Sequence, residues 1–461
     1  MEKFQLIREI PVEEGFDIVV AGGGPAGALA AIAAGRLGAK TLLVEATGCL
    51  GGMGTSGLVC AFDPMADGEK MLVGGLMREL VETLYARGFM RPGIDPDSWR
   101  KKYHVWSQFQ SEGLKLVLDE MAKAAGVEVR FFTRVIDAQQ EMGVVDGVVI
   151  SNIEGYRYIR AKCFIDATGD AVLSQLCGAA FHQAGKNGED GPMPATLASI
   201  FAGVEWDQFH RNSQCPECVE LIEKEYEAGM FEQCDRHFVG VSKVNDSVGY
   251  MNGGHIFNLD ATDIRSLSEG MMTGRRIVRQ YEMFLKKYFD TCKNIQLVST
   301  GALMGVRESR RVIGEYELNY QDYLSRRHFP DQIGLFNKFV DIHPRDCSRA
   351  EYDRFLREKD DTGRLGEGES FGLPYGILVP KGYKNLWVAG RCTSSDQWVH
   401  GSIRVMPACG MMGQAAATAA VQCIHTGETA DGLNTRTLVE TLRANGAFLP
   451  QEELSDTMTK A

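Results

Sequence analysis

The sequence has no excess of positive charge and no long apolar run. Its 49 basic residues are outnumbered by 61 acidic residues, and the formal net charge is −12. Nucleic acid and anionic membrane surfaces bind concentrated positive charge, so we expect neither as a partner. A membrane-spanning helix needs about eighteen uninterrupted apolar residues, and the first ten residues hold no apolar run of the signal-peptide type. We therefore expect a cytoplasmic protein.

Cysteine clusters are also missing. The chain has 12 cysteines, which in a cytoplasmic protein favours free thiols over a disulfide framework. Only Cys215 and Cys218 have the CxxC spacing. A structural zinc site usually has two such pairs, and iron–sulfur sites have tighter clusters. We interpret the pair as buried or in a loop, with metal or redox chemistry as the alternative, and we predict no metal site.

What the sequence does contain is one glycine-rich turn in a strand–turn–helix setting. Residues 22–27 read Gly-Gly-Gly-Pro-Ala-Gly, after the apolar run 16–21 and before the small residues 28–39. A second apolar run, 41–44, ends in Glu45. Strand, glycine turn, helix and a strand closed by an acid together indicate the unit that binds the ADP half of a dinucleotide.

Each residue type in this turn has a physical role. Gly22 permits the tight turn, Gly24 lets the backbone approach a pyrophosphate, and Gly27 lets the helix lie close to the sheet. The helix N-terminus offers N–H groups and a partial positive charge to phosphates, and Glu45 accepts ribose hydroxyls. The predicted cofactor contacts in this unit are Gly22, Gly24, Pro25, Ala26, Gly27 and Glu45.

No second glycine fingerprint occurs between residues 150 and 400. Reductases that bind two dinucleotides use a separate domain for NAD(P)H, so we expect none here, although NAD(P)H binding without such a unit stays open.

The distribution of patterns predicts an α/β protein with an inserted cap. A Rossmann-like dinucleotide-binding domain is expected from three separated segments, 1–60, 112–180 and 372–461. Residues 61–111 form a small insertion. Residues 181–371 hold most of the aromatic residues, several helical stretches and charged linkers, and we predict a substrate or cap domain there. A ligand at the junction would lie in the crevice typical of such folds.

Later motifs strengthen the assignment. After Glu45 the chain reads Gly-Gly-Met at 51–53, residues 165–170 read Ile-Asp-Ala-Thr-Gly-Asp, and 386–395 read Leu-Trp-Val-Ala-Gly-Arg-Cys-Thr-Ser-Ser. The stretch 305–314 belongs to the same series of motifs. Together these motifs resemble those of FAD-dependent oxidoreductases of the glutathione-reductase and fumarate-reductase superfamily. Within it they resemble a poorly characterised subfamily that is itself called FAD-dependent oxidoreductases. The resemblance implies FAD as the cofactor. It implies contacts from Gly51, Gly52, Met53, Ala167, Thr168, Gly169, Gly390 and Arg391.

A long helix is predicted near 407–423, after the strand that ends at Gly390. Its N-terminus would point toward the pyrimidine edge of the flavin and stabilise negative charge on the reduced ring. Small residues such as Gly413 would allow close approach to the cofactor. The alternative is a tightly packed core helix, and both descriptions can hold together.

Residues 400–404 read His-Gly-Ser-Ile-Arg, similar to a His-Gly-x-x-Arg stretch of fumarate and succinate enzymes. There the arginine binds a substrate carboxylate beside the flavin, a task that suits its planar fork. The resemblance makes Arg404 a flavin or substrate contact and His400 an acid or base. Against this, Gly390-Arg391 stands where the family has Gly-Glu, and a polar loop histidine is the alternative for His400.

Two further groups are candidates for the site. Helical spacing would place Arg307 beside Arg310 and Arg311, either lining an anion or flavin pocket or forming an ion-paired helix between domains. We favour the pocket for Arg307 and the ion pair for Arg311. Asp341 and His343 would share one face of an extended segment, as an orienting group and a base or as a hydrogen-bonded core pair.

We therefore expect an enzyme that moves a hydride between flavin N5 and a small organic substrate, with electrons exchanged with an external carrier. The alternatives are a flavin electron-transfer subunit of a larger redox complex, a flavin monooxygenase, and a structural Rossmann protein. Homo-oligomer formation is left open.

Overall fold

The computed structural model describes residues 4–101, 104–186, 190–208, 216–361 and 363–450. The strands are β1 (Val12–Ala21), β2 (Thr41–Val44), β3 (Ala61–Phe62), β4 (Ser107–Gln108), β5 (Glu128–Arg130), β6 (Arg134–Glu141), β7 (Val144–Asn152), β8 (Gly155–Asp166), β9 (Phe181–Gln183), β10 (Ala195–Thr196), β11 (Ser199–Ala202), β12 (Ser242–Lys243), β13 (Val248–Met251), β14 (His255–Ile256), β15 (Gln296–Thr300), β16 (Arg310–Val312), β17 (Gln332–Phe336), β18 (Phe371–Pro374) and β19 (Leu386–Val388).

The α-helices alternate with these strands. They are α1 (Pro25–Arg36), α2 (Gly75–Ala86), α3 (Pro96–Lys101), α4 (Ser111–Ala124), α5 (Val172–Leu176), α6 (Pro216–Glu227), α7 (Ile264–Tyr288), α8 (Tyr320–Leu324), α9 (Arg349–Asp361), α10 (Gln397–Ile403), α11 (Met406–Thr426) and α12 (Thr435–Ala444).

A seven-stranded sheet forms the centre of the larger layer. Its order is β5-β2-β1-β8-β7-β6, and β19 pairs with the end of β8. Strands β5, β2, β1, β8 and β19 run parallel, whereas β7 is antiparallel to both β8 and β6. Ala21, Asp166 and Val388 are aligned at the carboxyl ends of β1, β8 and β19. The predicted α/β class with a Rossmann-like sheet is confirmed; the domain boundaries stay predictions.

Helices α1 and α11 pack face to face over this sheet. Both are apolar on all sides and almost wholly buried, as expected of helices inside a core. A Cβ atom at Gly413 of α11 would lie 2.0 Å from the carbonyl oxygen of Ala26 in α1. The small residues of both helices therefore let the two backbones meet directly.

A second layer is built from the four-stranded antiparallel sheet β12-β13-β11-β15. Helix α7 covers this sheet and begins where the Asp263 side chain accepts a hydrogen bond from the Arg265 backbone N–H at 2.8 Å. Its apolar face, including Ile277 and Phe284, packs on Phe201 of the sheet in a hydrophobic core separate from the one below. This layer lies within the segment predicted as the cap.

The helical spacing predicted for Arg307, Arg310 and Arg311 is wrong. Gly305 forms a bridge with Thr196, and residues 310–312 form β16, which pairs with β9. Pairing with distant strands satisfies the backbone here, so the tertiary context overrides the local spacing. Glu308 and Arg311 still form an ion pair, in which both side chains are fully buried.

Two other predictions concern cysteines and membrane helices. Cys218 is a buried thiol on α6, while Cys215 lies outside the described residues, so their pairing stays untested. Within the described ranges, none of the helices combines the length and apolarity needed to cross a membrane.

Candidate functional site

A cavity of about 770 Å³ extends from the turn after β1 to the underside of the second layer. On one wall lie the carboxyl ends of β1, β2, β8 and β19. On the other lie residues of the segments 237–252 and 338–343. The predicted site residues that line it are Gly22, Gly24, Pro25, Ala26, Glu45, Gly52, Met53, Ala167, Thr168, Gly169, Arg307, His343, Gly390, Arg391 and Arg404.

The turn between β1 and α1 leaves open space where a phosphate group would lie. Gly22 has φ +93°, and a Cβ atom there would lie 2.6 Å from the Ala167 carbonyl oxygen. A Cβ atom at Gly24 would meet nothing within 4 Å, and one at Gly27 would lie 1.8 Å from the Gly22 carbonyl oxygen. Gly24 caps α1 without a side-chain hydrogen bond, so the first N–H groups of the helix remain available to an anion.

Glu45 closes β2 with an oriented carboxylate. One of its oxygens accepts a hydrogen bond from the Gly23 N–H at 2.6 Å and the other from the Thr47 N–H at 2.7 Å. Each oxygen keeps a lone-pair direction for another donor. The side chain is buried but lines the cavity. A pair of ribose hydroxyls would satisfy this acceptor.

Two loops complete the cradle around this turn. The Gly51 N–H donates to the Gly23 carbonyl oxygen at 2.8 Å, and the loop that follows lines the cavity. Across from it, the buried Asp166 carboxylate accepts hydrogen bonds from the backbone and side chain of both Thr168 and Ser174, at 2.7–3.1 Å. These bonds fix the turn whose backbone faces the cavity.

The N-terminus of α11 and two arginines form the next part of the wall. Val405 caps α11 without a side-chain hydrogen bond. Arg391 donates through Nη2 to Asp170 Oδ1 at 2.8 Å. Its Nη1, like Nε of Arg404, is buried and has no hydrogen-bond partner among the described residues. These N–H groups, together with the open space at Gly24, fit a dinucleotide with a pyrophosphate and a charged ring edge.

Arg404 and Arg307 lie close enough to repel each other. Arg404 donates through Nη2 to the Asp341 carbonyl oxygen at 3.0 Å, and Arg307 donates through Nη1 to the Pro194 carbonyl oxygen at 2.6 Å. Burial and the Arg404 charge lower the pKa of Arg307, against the attraction of Asp341. An anion between the two guanidinium groups would relieve this repulsion.

A cluster of three histidines adjoins these arginines. His255 Nε2 lies 3.0 Å from His343 Nδ1, and the ring of His237 stacks 5.0 Å from that of His255. His255 Nδ1 is 3.1 Å from Asp235 Oδ1, and His343 Nε2 is 3.6 Å from Asp341 Oδ1. His237 and His343 line the cavity, and His255 lies behind them.

Burial lowers the pKa of two of these three rings. Burial and then His255 lower the pKa of His237 to about 3. Burial and the Arg307 charge lower the pKa of His343 well below its usual range. Burial alone would raise the pKa of Asp235, but His255 outweighs it and the pKa falls to about 2.

Four predicted site residues do not line the cavity. Gly27 lets α1 pack against its own turn, and Gly413 lets α11 pack against α1. The Gly51 N–H donates a hydrogen bond that links two loops. His400 is buried, and its Nε2 lies 3.0 Å from the Arg307 carbonyl oxygen, which makes Nε2 the donor. His400 therefore supports Arg307 from behind.

The sequence did not single out several residues that line the cavity or contact its lining. Asp235 and His237 were not candidates, and His255 lies far from His343 along the chain. Lys338 and Asp63 face each other at 2.5 Å in another wall. His343 has a weak signal through its spacing from Asp341, and His255 a weaker one in Gly253-Gly-His. The others are brought together by folding alone.

Several solved structures are similar to this chain over most of its length. Among solved structures, a geranylgeranyl bacteriochlorophyll reductase-like protein from Thermoplasma acidophilum is 15% identical, with 94% of this chain and 83% of that chain covered and a TM-score of 0.49. The p-nitrophenol 4-monooxygenase from Pseudomonas putida is 11% identical over 94% and 81% of the two chains, with a TM-score of 0.44. The flavin-dependent brominase Bmp2 is 14% identical over 94% and 83%, also with a TM-score of 0.44.

A search of curated protein sequences gives no match. The family model described as FAD dependent oxidoreductase matches residues 17–442, which is most of the chain. The chain therefore belongs to the FAD dependent oxidoreductase family and is an enzyme whose cofactor is FAD.

Proposed function

We propose that the enzyme moves a hydride between flavin N5 and a small anionic organic substrate that binds beneath the second layer. The observation that carries this proposal is the continuity of one cavity. It runs from the dinucleotide cradle at Gly24 to the paired guanidinium groups of Arg307 and Arg404. A substrate held by those groups would share one cavity with the cofactor, which supplies the hydride acceptor or donor when bound.

The arginines would bind and orient the substrate. A guanidinium group donates two parallel hydrogen bonds to a carboxylate, which fixes both the position and the plane of the ligand. Asp341 holds Arg404 from one side, and the Pro194 carbonyl oxygen holds Arg307. Each guanidinium is therefore oriented before the substrate arrives, which reduces the entropy lost on binding.

His400 would act as a positioning residue. Its hydrogen bond to the Arg307 carbonyl oxygen fixes the backbone from which that guanidinium extends. Burial and the nearby Arg311 and Arg404 charges lower the pKa of His400 well below its usual range, so the ring stays neutral. The acid–base role of His343 stays a prediction.

The second half of the reaction needs an external electron carrier. No second glycine fingerprint of the dinucleotide type occurs between residues 150 and 400. We propose that electrons reach or leave the flavin by way of the same cavity or a partner protein, because that segment has no fingerprint for a second dinucleotide.

The experiment is anaerobic mixing of the FAD-loaded enzyme with small carboxylates that carry an alcohol, an amine or a double bond. The absorbance of the flavin band at about 450 nm reports reduction or reoxidation of the flavin. We expect one class to change this absorbance at a saturable rate. Arg307→Gln should weaken saturation, and Arg275→Gln, on the exposed side of α7, should not. Failure of every compound in both directions would contradict the proposal, and oxygen-dependent NADPH consumption would favour a monooxygenase.

A further inference from the structure

We propose that His237, His255 and His343 bind one divalent transition-metal cation at the edge of the substrate cavity. One ring nitrogen from each histidine lies within 4.8 Å of the other two. Metal–nitrogen bonds of about 2.0–2.1 Å place tetrahedral ligands about 3.4 Å apart. The separation of 3.0 Å between His255 Nε2 and His343 Nδ1 is already close to that value.

The outer nitrogens of two of these rings face carboxylates. His255 Nδ1 lies 3.1 Å from Asp235 Oδ1, and His343 Nε2 lies 3.6 Å from Asp341 Oδ1. In metal sites, a ligating histidine usually gives its second N–H to a carboxylate, a carbonyl or water, which fixes the tautomer and the direction of the lone pair. His255 has such a partner at hydrogen-bond distance, and the Asp341 carboxylate lies within ion-pair distance of His343.

Asp235 also fixes the backbone of the cluster. Its carboxylate accepts a hydrogen bond from the His255 N–H at 2.8 Å and from the His237 N–H at 3.1 Å. The three rings then lie against one another with centroids 5.0–5.1 Å apart. Phe355 packs edge-on against His237 at 5.6 Å and gives the site an apolar side. The ligands are therefore held in place without a cation.

Hydrogen bonds between the side chains account for only part of the arrangement of the three histidines. Asp235, His255 and His343 can be linked by two N–H···acceptor bonds. Within the described residues, the ring nitrogens of His237 have no hydrogen-bond partner, although the ring is stacked against His255. A cation uses a nitrogen of all three rings.

The donor set indicates the class of cation. Three neutral imidazoles suit zinc, iron, nickel or copper, rather than magnesium or calcium, which prefer oxygen ligands. Catalytic zinc sites keep three protein ligands and leave one position open. Because His237 and His343 line the cavity, the open position would face the substrate. If the proposed function holds, the cation would bind a substrate oxygen beside the anion held by Arg307 and Arg404.

The test is metal binding by the FAD-loaded enzyme. The protein is stripped with a chelator, dialysed against buffered Zn²⁺ and assayed for zinc by atomic absorption. We expect about one equivalent per chain, and a loss of affinity of at least ~100-fold in both H237Q and H343Q, because each removes one of three ligands. Asp235→Asn should lower the zinc affinity about 10–100-fold, because His255 loses the carboxylate that orients its ring.

His425→Gln is the matched control, because this histidine is exposed at the end of α11. Flavin content and melting temperature show whether each variant is folded, and Co²⁺ absorption reports the coordination number. Zinc uptake by the wild type below about 0.1 equivalent at ~10 μM Zn²⁺, or equal uptake by the H237Q/H343Q double variant, would overturn the proposal. Such a result would not bear on flavin reduction by carboxylates. The metal-site proposal and the proposed function can therefore fail independently.

Discussion

Asp341 anchors one edge of the Arg404 guanidinium group and leaves the other edge unused. Arg404 Nη2 lies 3.0 Å from the Asp341 carbonyl oxygen and 3.3 Å from Oδ2. Its Nε is buried without a hydrogen-bond partner in the described part of the chain. A buried donor left unsatisfied costs about 1–3 kcal/mol, more for a charged group. A bound anion, from cofactor or substrate, removes this cost.

Replacing Arg404 with lysine should impair ligand binding although the positive charge is kept. An ammonium group cannot hold Asp341 and a carboxylate through a planar fork, and one charged hydrogen bond contributes about 1.5–3 kcal/mol. We expect the dissociation constant of the substrate to rise about 10–100-fold in Arg404→Lys, measured by flavin reduction. If FAD content falls instead while substrate affinity is unchanged, Arg404 contacts the cofactor and not the substrate.

Alanine at Gly24 should leave the fold intact and weaken FAD binding. The backbone at Gly24 has φ −64°, which any residue adopts, and a Cβ atom there would enter open space. That space is where the pyrophosphate would lie. We expect a melting temperature close to that of the wild type for the FAD-free protein, with at least ~10-fold weaker FAD binding by fluorescence titration. Unchanged FAD affinity would place the cofactor elsewhere.

Alanine at Gly413 should destabilise the fold itself, in the absence of FAD. The added Cβ atom would lie 2.0 Å from the Ala26 carbonyl oxygen, so α1 and α11 must separate. Overpacking in a core costs about 1–3 kcal/mol. We expect denaturant unfolding to report that loss in the FAD-free protein. Gly191→Ala is the control, because a Cβ atom there meets nothing within 4 Å. Equal stability of the two variants would contradict the helix contact.

The buried pair of Lys338 and Asp63 should control the pH dependence of stability. Burial raises the pKa of Asp63, but Lys338 and His104 outweigh it, so the net shift is downward. A lowered pKa in the folded state stabilises the fold above the unfolded value of about 3.9. This stabilisation is lost as the pH falls through the folded value. The wild type should therefore keep its stability down to about pH 4.

Lys338→Met removes the main group that lowers this pKa. The buried carboxylate then lacks its cation, which costs about 3–5 kcal/mol, and the pKa of Asp63 should rise. Stability of the variant should fall as the pH rises above the unfolded value of about 3.9 and through the raised folded value, which is opposite in sign to the wild-type dependence. Adding Asp63→Asn to the Lys338→Met variant should restore most of the lost stability. Arg78→Gln, which breaks an exposed ion pair on α2, is the control. A flat pH profile in Lys338→Met would contradict the pairing.

The cofactor cradle was predictable because its signals are local. The strand, turn and helix around Gly22 lie within one short stretch, and Glu45 follows at the end of the next strand. The small residues near Gly413 were ambiguous, because a helix that approaches a cofactor and a helix that approaches another helix need the same residues. In the structure Gly413 meets Ala26.

The rest of the site depends on contacts between distant segments. Helical spacing predicts that Arg307 lies beside Arg310 and Arg311, but the chain around it pairs with Thr196 and β9. His237, His255 and His343 carry no common spacing, and only the second layer and the segment 338–343 bring them together. Their chemistry is therefore a property of the fold and not of a motif.

Single-turnover flavin reduction with a deuterated substrate tests the central claim most directly. The compound that reduces the flavin is labelled at the carbon that would lose hydride, and the rate is measured anaerobically in the wild type and in Arg307→Gln. We predict a primary isotope effect on flavin reduction in both proteins, with weaker substrate saturation in the variant. Reduction without an isotope effect, or reduction only by a reduced carrier protein, would contradict hydride transfer from a substrate in this cavity.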